Sequence, residues 1–465
     1  MIRRTVMSLK GVLSRNGVKI AIADLNDKEK KLINRELTVS PLTLEQLFPK
    51  KFKVFKSDKE YVYLPRFWAK ESLERLEIKE DFGEITPMRK CTFTGTLRKE
   101  LQQDKATDAL LKSLKETGGG ILSLDTGYGK TFSSIYTAQK LGVKTMILVH
   151  KTFLADQFEE SIKKLVPEAK ISKIRGNICD TTGDFIICMI QTLLARKYDA
   201  FDGVGCLIVD ESHHVPAESF SQAMFGTSFK YTIGLSATPT RADGLSRVMF
   251  WFLGKIAYEA RRTGQTHVNV KITQFTHPEY SKPPPINKRG DLCYTSLITK
   301  ICSIPDRTQF IAAQTKSVAE SGRYVLVLSH RRGHAMEICE ELKILGVDAG
   351  TYLGGDKVAP DVQVVCATFS LASEGYDNPR LSALVLATPS SNVVQAVGRI
   401  LRGGSGNDPI VVDIADNFSL FFSQLSKRKA TYRKIGFTII GDKNTKSEVE
   451  KIEEKMESMF LDDDE

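Results

Sequence analysis

Two short stretches hold residue types that do chemistry together. Residues 208–214 read IVDESHH, which sets Asp210 and Glu211 almost beside His213 and His214. Carboxylates and imidazoles bind metals, and an acid pair can also move protons or hold a cation. Residues 122–131 read LSLDTGYGKT: an apolar run, a turn with Gly127 and Gly129, then Lys130 and Thr131. Glycines let a turn adopt positive φ, so that successive N–H groups face inward as a nest for an anion. A helix N-terminus just beyond adds partial positive charge. Lys130 then reaches the β- and γ-phosphates of a nucleotide, and the Thr131 hydroxyl binds Mg2+. Leu124 stands where the full G-x-x-x-x-G-K-[ST] pattern has its first glycine, so the motif is incomplete by itself.

A phosphate site of this kind needs a second strand that delivers carboxylates. CLIVDE (206–211) supplies it. Asp210 suits Mg2+, usually through water, and Glu211 suits orienting and polarising the attacking water. A transition-metal reading of IVDESHH finds no support nearby, because no CxxC, HExxH or further histidine cluster completes the ligand set. The eight cysteines are scattered singly, which indicates neither a structural zinc site nor a disulfide framework. A reduced, intracellular protein is expected.

These residues must be held by a scaffold, and the pattern around them specifies one. Short apolar runs (GILSLD, TMILVH, DFIICMI, CLIVDE, YTIGLSA) alternate with helical stretches such as LADQFEESIKKLV. Unalternating runs of Val, Ile and Leu suit strands buried on both faces of a parallel sheet. The texture resumes after Gly322 with YVLVLSH, VQVVCATF, ALVLATP and PIVVDIA. Two α/β blocks follow, with the Pro-rich segment 277–291 read as a surface insertion or linker. Residues 1–95 differ: FKVFK and YVYLPRFW read as short strands, DKEKKLINREL as a helix, and the whole as a small α+β domain. The expected division is 1–95, 96–260, 261–441, and an acidic tail over 442–465. No apolar run is long enough to span a bilayer.

The net charge of +10 is unevenly placed. Residues 1–95 carry 20 Lys and Arg against 13 Asp and Glu, a net +7. A basic domain attracts polyanions, of which nucleic acid is the usual one, although a basic face can also serve only solubility.

Taken in order, the motifs resemble those of a superfamily 2 helicase. TGYGKT (Thr126, Gly127, Tyr128, Gly129, Lys130, Thr131) is similar to Walker A, and DESHH to a DExH box. SATPTRADG (236–244) resembles motif III, TFSLASEGYDNP (368–379) motif V, and QAVGRILR (395–402) motif VI. LRKELQQ resembles the adenine-reading Q motif, with Arg98 and Gln103 as its contacts and Gln102 as the alternative glutamine. LVHKTFLADQF, MIQTLL and VLSHRRGH resemble the nucleic-acid motifs and motif IV. Within the superfamily the set resembles the group holding XPB, the phage UvsW branch-migration helicase and the late-transcription helicases of large DNA viruses.

The resemblance implies two RecA-like domains in tandem that bind ATP and Mg2+ between them, with a DNA-binding N-terminal domain. The first domain gives Lys130, Thr131, Asp210 and Glu211. The second gives Gln395, Arg399 and Arg402 against the transition-state charge, and Gly375 and Asp377 toward ribose and DNA backbone. His213, Ser236 and Thr238 would couple hydrolysis to domain movement, whereas His214 has no derivable role. Lys151, Thr152, Gln191, Thr192, Arg331 and Arg332 would hold phosphates of the polynucleotide. The tyrosines and phenylalanines of 52–68 could stack on bases, but core burial is preferred.

The expected activity is an ATP-driven DNA helicase or translocase of a phage or virus that remodels forks and Holliday junctions. Transcript release or promoter opening comes second, and RNA unwinding third. Replication, recombination or transcription proteins are the expected partners, without a membrane. A GTPase or kinase leaves SATP and the second block unexplained. A clamp with a vestigial ATPase conflicts with Lys130, Glu211 and Arg402. The motor of an ATP-dependent restriction nuclease would need its nuclease from another chain.

Overall fold

The computed structural model describes residues 8–41, 51–125, 127–195, 201–237, 239, 243–260, 268–286, 292–354, 356, 359–369, 378, 380–390, 397, 408–418 and 420–440. It divides into two compact units, residues 1–262 and 263–465.

Besides a two-stranded pair, Thr38–Val39 with Phe52–Lys53, the described part of the first unit holds two sheets. The larger runs, in order, Ile178–Cys179, Ile171–Arg175, Phe185–Met189, Thr145–Val149, Cys206–Val209, Tyr231–Ser236, Gly119–Leu124 and Ile256–Ala260. All neighbours are parallel except the Ile178–Cys179 hairpin. Every residue of Gly119–Leu124, Thr145–Val149, Phe185–Met189 and Cys206–Val209 is buried. Such strands need cover on both faces. Two apolar clusters supply it, one around Leu110, Ile135 and Phe158, the other around Phe220, Val248 and Phe252.

The smaller sheet belongs to the N-terminal segment. Its order is Lys56–Ser57, Tyr61–Leu64, Gly17–Ala21, Leu9–Ser14 and Leu76–Glu80, antiparallel except for the last pair. Helices Asp27–Glu36 and Arg66–Ser72 cover the face that buries Leu9, Leu13, Val18, Ile20 and Leu64. Asn26 caps the first helix and exchanges hydrogen bonds with Glu29, a capping box.

The strand reading of YVYLPRFW stops at Leu64. Pro65 begins a helix at Arg66, as its fixed φ favours at a helix start. FKVFK is split between the two-residue strands Phe52–Lys53 and Lys56–Ser57. Phe52, Phe55, Phe67 and Trp68 are core residues, while Tyr61 and Tyr63 are half-buried.

The N-terminal sheet is fastened to the larger one by Arg66, which is 2% exposed. Its guanidinium donates to the carbonyls of Lys230 (2.8 Å) and Thr117 (3.0 Å) and lies 3.6 Å from Glu80. Gly118 and Gly119 admit it. A Cβ on Gly118 (φ +83°) would meet Arg66 Nη2 at 2.0 Å, and one on Gly119 would meet Phe67 Cζ at 2.3 Å.

The second unit is a seven-stranded parallel sheet, in order Ala349–Tyr352, Val364–Thr368, Tyr324–Ser329, Leu381–Leu386, Ile410–Asp416, Asn269–Phe275 and Thr438–Ile439. Two buried ion pairs brace it, Arg307–Asp416 at 2.7 Å and Arg428–Asp413 at 2.8 Å. The described part of 277–291 is not a free linker. Tyr280 donates to Asp416 and stacks on Phe418, and His277 lies 3.5 Å from Asp306. The Tyr280 hydroxyl, added to a buried carboxylate that Arg307 already holds through both oxygens, ties this polar, Pro-rich stretch to the end of the strand Ile410–Asp416.

Candidate active site

The site is built at the C-terminal edge of the eight-stranded sheet. The strand Gly119–Leu124 runs straight through the position where a glycine was missing. Leu124 pairs with Ala260, and Asp125 N donates to Ala260 O at 3.2 Å, so the chain stays extended there. The turn comes later, at Gly127 (φ +92°) and Gly129 (φ +81°). Lys130 opens the helix Lys130–Leu141, and its ammonium donates to Leu124 O at 2.8 Å. Thr131 follows in the first turn, half-buried.

Gln103 clamps this turn from the side. It is 3% exposed, accepts from Arg98 N at 3.0 Å and donates to Tyr128 O at 3.1 Å. Gly129 must be glycine twice over: its φ is positive, and a Cβ would meet Gln103 Nε2 at 2.4 Å. The Arg98 residue is exposed. Gln102 sits in the left-handed region and accepts from Tyr258 OH at 2.6 Å. Tyr258 was not singled out from the sequence, because its strand lies 156 positions away and carries no motif.

The strand Cys206–Val209 delivers the carboxylates one strand away from the phosphate turn, with Tyr231–Ser236 between. Asp210 is 7% exposed. Burial, and then the charge of Glu211, push its carboxyl up to about 7, against the opposing pull of Lys130. Glu211 takes a left-handed conformation (φ 47°, ψ 50°), rare for a residue with a Cβ. Its Oε2 is buried without a hydrogen-bond partner among the described residues and lies 3.3 Å from His213 Nδ1. A buried acid with a raised pKa and an unmatched carboxylate oxygen, near a lysine at a helix start, fit a hydrated divalent cation with a polyphosphate. The cation would relieve the acid repulsion, and the phosphates would take the lysine and the helix N-terminus.

His213 Nδ1 also lies 3.2 Å from Ser236 Oγ, at the end of the neighbouring strand. His214 lies between two rings, 4.4 Å from that of His213 and 4.5 Å from that of His150. Among the described residues, these acids and histidines do not gather into a group of three or more that could hold a metal ion. His150 sits within LVHKTFLADQF but was not singled out from the sequence, because its ring neighbour His214 is brought to it only by the order of the strands.

Lys151 and Thr152 begin the helix Thr152–Leu165 at the same edge. Gln191 donates to His150 O at 2.7 Å, and the Thr192 hydroxyl accepts from Gly176 N at 3.1 Å, so both side chains already brace the loops around them. In the second unit Arg331 donates to Thr295 O (2.7 Å) and Thr299 Oγ1 (3.2 Å), and Arg332 to Gly354 O (2.8 Å). Thr126, Thr238, Gly375, Asp377, Gln395, Arg399 and Arg402 lie outside the described residues. No helix among the described residues is long and apolar enough to cross a membrane.

Residues 96–241, which hold this site, match the family described as "Type III restriction enzyme, res subunit". A protein of Acanthamoeba polyphaga mimivirus that carries the name of an ATP-dependent RNA helicase is 30% identical over 446 residues. That match spans 91% of this chain and 85% of the relative. An African swine fever virus protein named in the same way is 26% identical over 474 residues, 93% of this chain and 92% of the relative. Among solved structures, S. cerevisiae Dbp5 bound to RNA and ADP BeF3 aligns with a TM-score of 0.51 at 15% identity, over 76% of this chain and 92% of that one. The likeness identifies the two parallel sheets as RecA-like folds. By its motif order, its fold and its near full-length similarity to the mimivirus protein, the chain belongs to the ATP-dependent superfamily 2 helicases of large DNA viruses.

Proposed function

We propose that the protein is a DNA motor that hydrolyses ATP to travel along and remodel branched DNA, as at forks and four-way junctions. The observation that carries the DNA half of this reading is the seating of the basic N-terminal sheet. The face away from its helices bears a cross-strand row of register partners, Lys56, Tyr63, Lys19, Val12 and Lys79, of which the Lys56–Tyr63 end packs against the larger sheet's domain and the rest faces outward. Lys10 lies on the same face, and Lys19 sits 3.7 Å over the Tyr61 ring. Cations interleaved with rings suit phosphates and bases. The Arg66 fastening holds this face fixed against the larger sheet of its own unit. A motor that pulls one arm of a junction needs such a second hold.

In the proposed mechanism the turn 127–129 and Lys130 bind the β- and γ-phosphates, while Gln103 holds that turn and, with Arg98, takes its role toward the base from the Q motif alone. Bound at Thr131 and Asp210, Mg2+ would neutralise charge on the phosphate oxygens. Glu211 accepts a hydrogen bond from the attacking water and draws off its proton. His213 and Ser236, with Thr238, report the state of the site to the neighbouring strand. Lys151, Thr152, Gln191, Thr192, Arg331 and Arg332 meet polynucleotide phosphates, contacts that carry no sequence information and so permit stepping. Gln395, Arg399, Arg402, Gly375 and Asp377 take their proposed roles toward ATP and DNA from their motifs alone.

The test compares ATPase stimulation by single strands, duplex, forks, four-way junctions and RNA at one salt concentration, since phosphate-driven affinity falls steeply with salt. Greatest stimulation by junctions or forks is expected. The RNA reading has its own support, the names of two viral relatives, and stimulation by RNA above every DNA would establish it instead. Glu211→Gln should lower stimulated turnover by about 10²–10⁴-fold with ATP still bound. Full turnover in that variant removes Glu211 from the chemistry.

A further inference from the structure

The DExH stretch ends in a histidine to which the motor leaves nothing to do. The structure sets His214 in the middle of a column of three rings. His213 and His214 have centroids 4.4 Å apart, His214 and His150 4.5 Å apart. One end of the column is His213, 3.3 Å from Glu211 Oε2 and 3.2 Å from Ser236 Oγ. The other end, His150, closes the strand Thr145–Val149 and directly precedes Lys151 and Thr152, which start a 14-residue helix. His150 is also held by its backbone, whose carbonyl accepts from Gln191 at 2.7 Å. The two strands that carry the column are neighbours in the sheet.

We propose that His150 and His214 are positioning residues that carry nucleic-acid contact at Lys151, Thr152 and Gln191 to the catalytic Glu211. This rests on the reading that those residues meet the polynucleotide. The physical ground is contact. The three half-buried rings lie with centroids 4.4 and 4.5 Å apart, tilted by 40° and 55°, close enough that a shift of His150 presses on His214. His214 is one turn from Glu211, and its backbone N–H donates to Glu211 O at 2.9 Å. That turn contains the left-handed Glu211, a conformation of higher energy that a small push can redirect. His150 supports the role in a second way. Its Nδ1 is buried without a hydrogen-bond partner among the described residues, so packing rather than a hydrogen bond at that nitrogen holds the ring. Burial, with the neighbouring His214 and Lys151, lowers its pKa to about 4, so the ring is neutral at ordinary pH and lies against His214, tilted by 55°, without charge repulsion.

The experiment measures affinity for a fluorescein-labelled forked DNA with and without a non-hydrolysable ATP analogue, beside basal and DNA-stimulated ATPase. Nucleotide and DNA affinities are linked by one coupling factor, ordinarily about 5–150-fold. His214→Ala should bring that factor down at least about fivefold, toward unity, while basal kcat and the KM for ATP stay as they were. His214→Phe, which keeps a flat ring in the column, should retain most of the coupling. His150→Ala should match His214→Ala, and the double variant should be no worse than either, as expected for two members of one column. Unchanged coupling in His214→Ala overturns the proposal, as does an equal fall of basal and stimulated turnover, which would mark a merely structural residue. If the unsubstituted protein shows neither coupling nor stimulation by DNA, the motor reading itself fails and takes this one with it.

Discussion

Asp210 carries the sharpest single-residue consequence of the site. Its carboxyl is pushed up to about 7 from an ordinary 3.8, chiefly by burial and then by Glu211. The folded chain therefore keeps a proton that the unfolded chain releases as pH rises between those values. The unfolded state then binds fewer protons, so stability is fully present below about pH 4, declines through the window and is lost above about pH 7. Asp210→Asn removes the ionisation. Without divalent cation, its melting temperature should exceed that of the parent at pH 8, and the gap should close by pH 4. The difference corresponds to a few kcal/mol at about 1.36 kcal/mol per pKa unit. Mg2+ and nucleotide should narrow the gap from the other side by stabilising the ionised acid of the parent. Thermal melts at the two pH values decide it, and a gap that does not change with pH would show that Asp210 is ionised in the fold as usual.

At the level of elements, the phosphate turn depends on what flanks its strand as much as on its own motif. Gly118 and Gly119 open the strand by letting Arg66 and Phe67 against its backbone. Gly118→Ala combines a positive φ with a Cβ 2.0 Å from a buried guanidinium. It should cost about 2–4 kcal/mol, adding backbone strain to overpacking, read as a lower urea midpoint. A cost below about 0.5 kcal/mol would mean that Arg66 moves aside freely. The motifs themselves were legible because each is contiguous: strand, turn and helix follow one another in LSLDTGYGKTFSS, and CLIVDE ends its own strand. The Arg66 fastening was not, because its partners lie 51 and 164 positions away and a lone arginine in PRFW carries no periodic signal. Tyr258 and His150 escaped for the same reason. Each matters through a neighbour supplied by sheet order, and sheet order is decided by packing rather than by local pattern.

For the whole molecule, the question is where the excess positive charge does its work. The N-terminal sheet turns Lys10, Lys19 and Lys79 outward on one face, while Lys28 and Lys31 sit exposed on the helix that covers the opposite face. Lys56 is partly committed, since its ammonium donates to Gln222 O at 3.2 Å in the larger sheet's domain. If polynucleotide crosses the open face, each lysine there neutralises a phosphate and releases a counterion on binding. Changing Lys10, Lys19 and Lys79 together to Gln should then reduce the slope of log affinity against log salt by about one per lysine, and weaken binding alike across sequences. Changing Lys28 and Lys31 removes charge from the same domain but from its other face, and should leave the slope nearly unmoved. Both variants lower the net charge, so a general attraction to polyanions predicts similar losses for the two, scaled by charge. Equal slopes per charge removed would assign the basic excess to solubility and long-range attraction. A loss confined to the sheet face would make it a track for the nucleic acid, held in fixed position against the motor by Arg66.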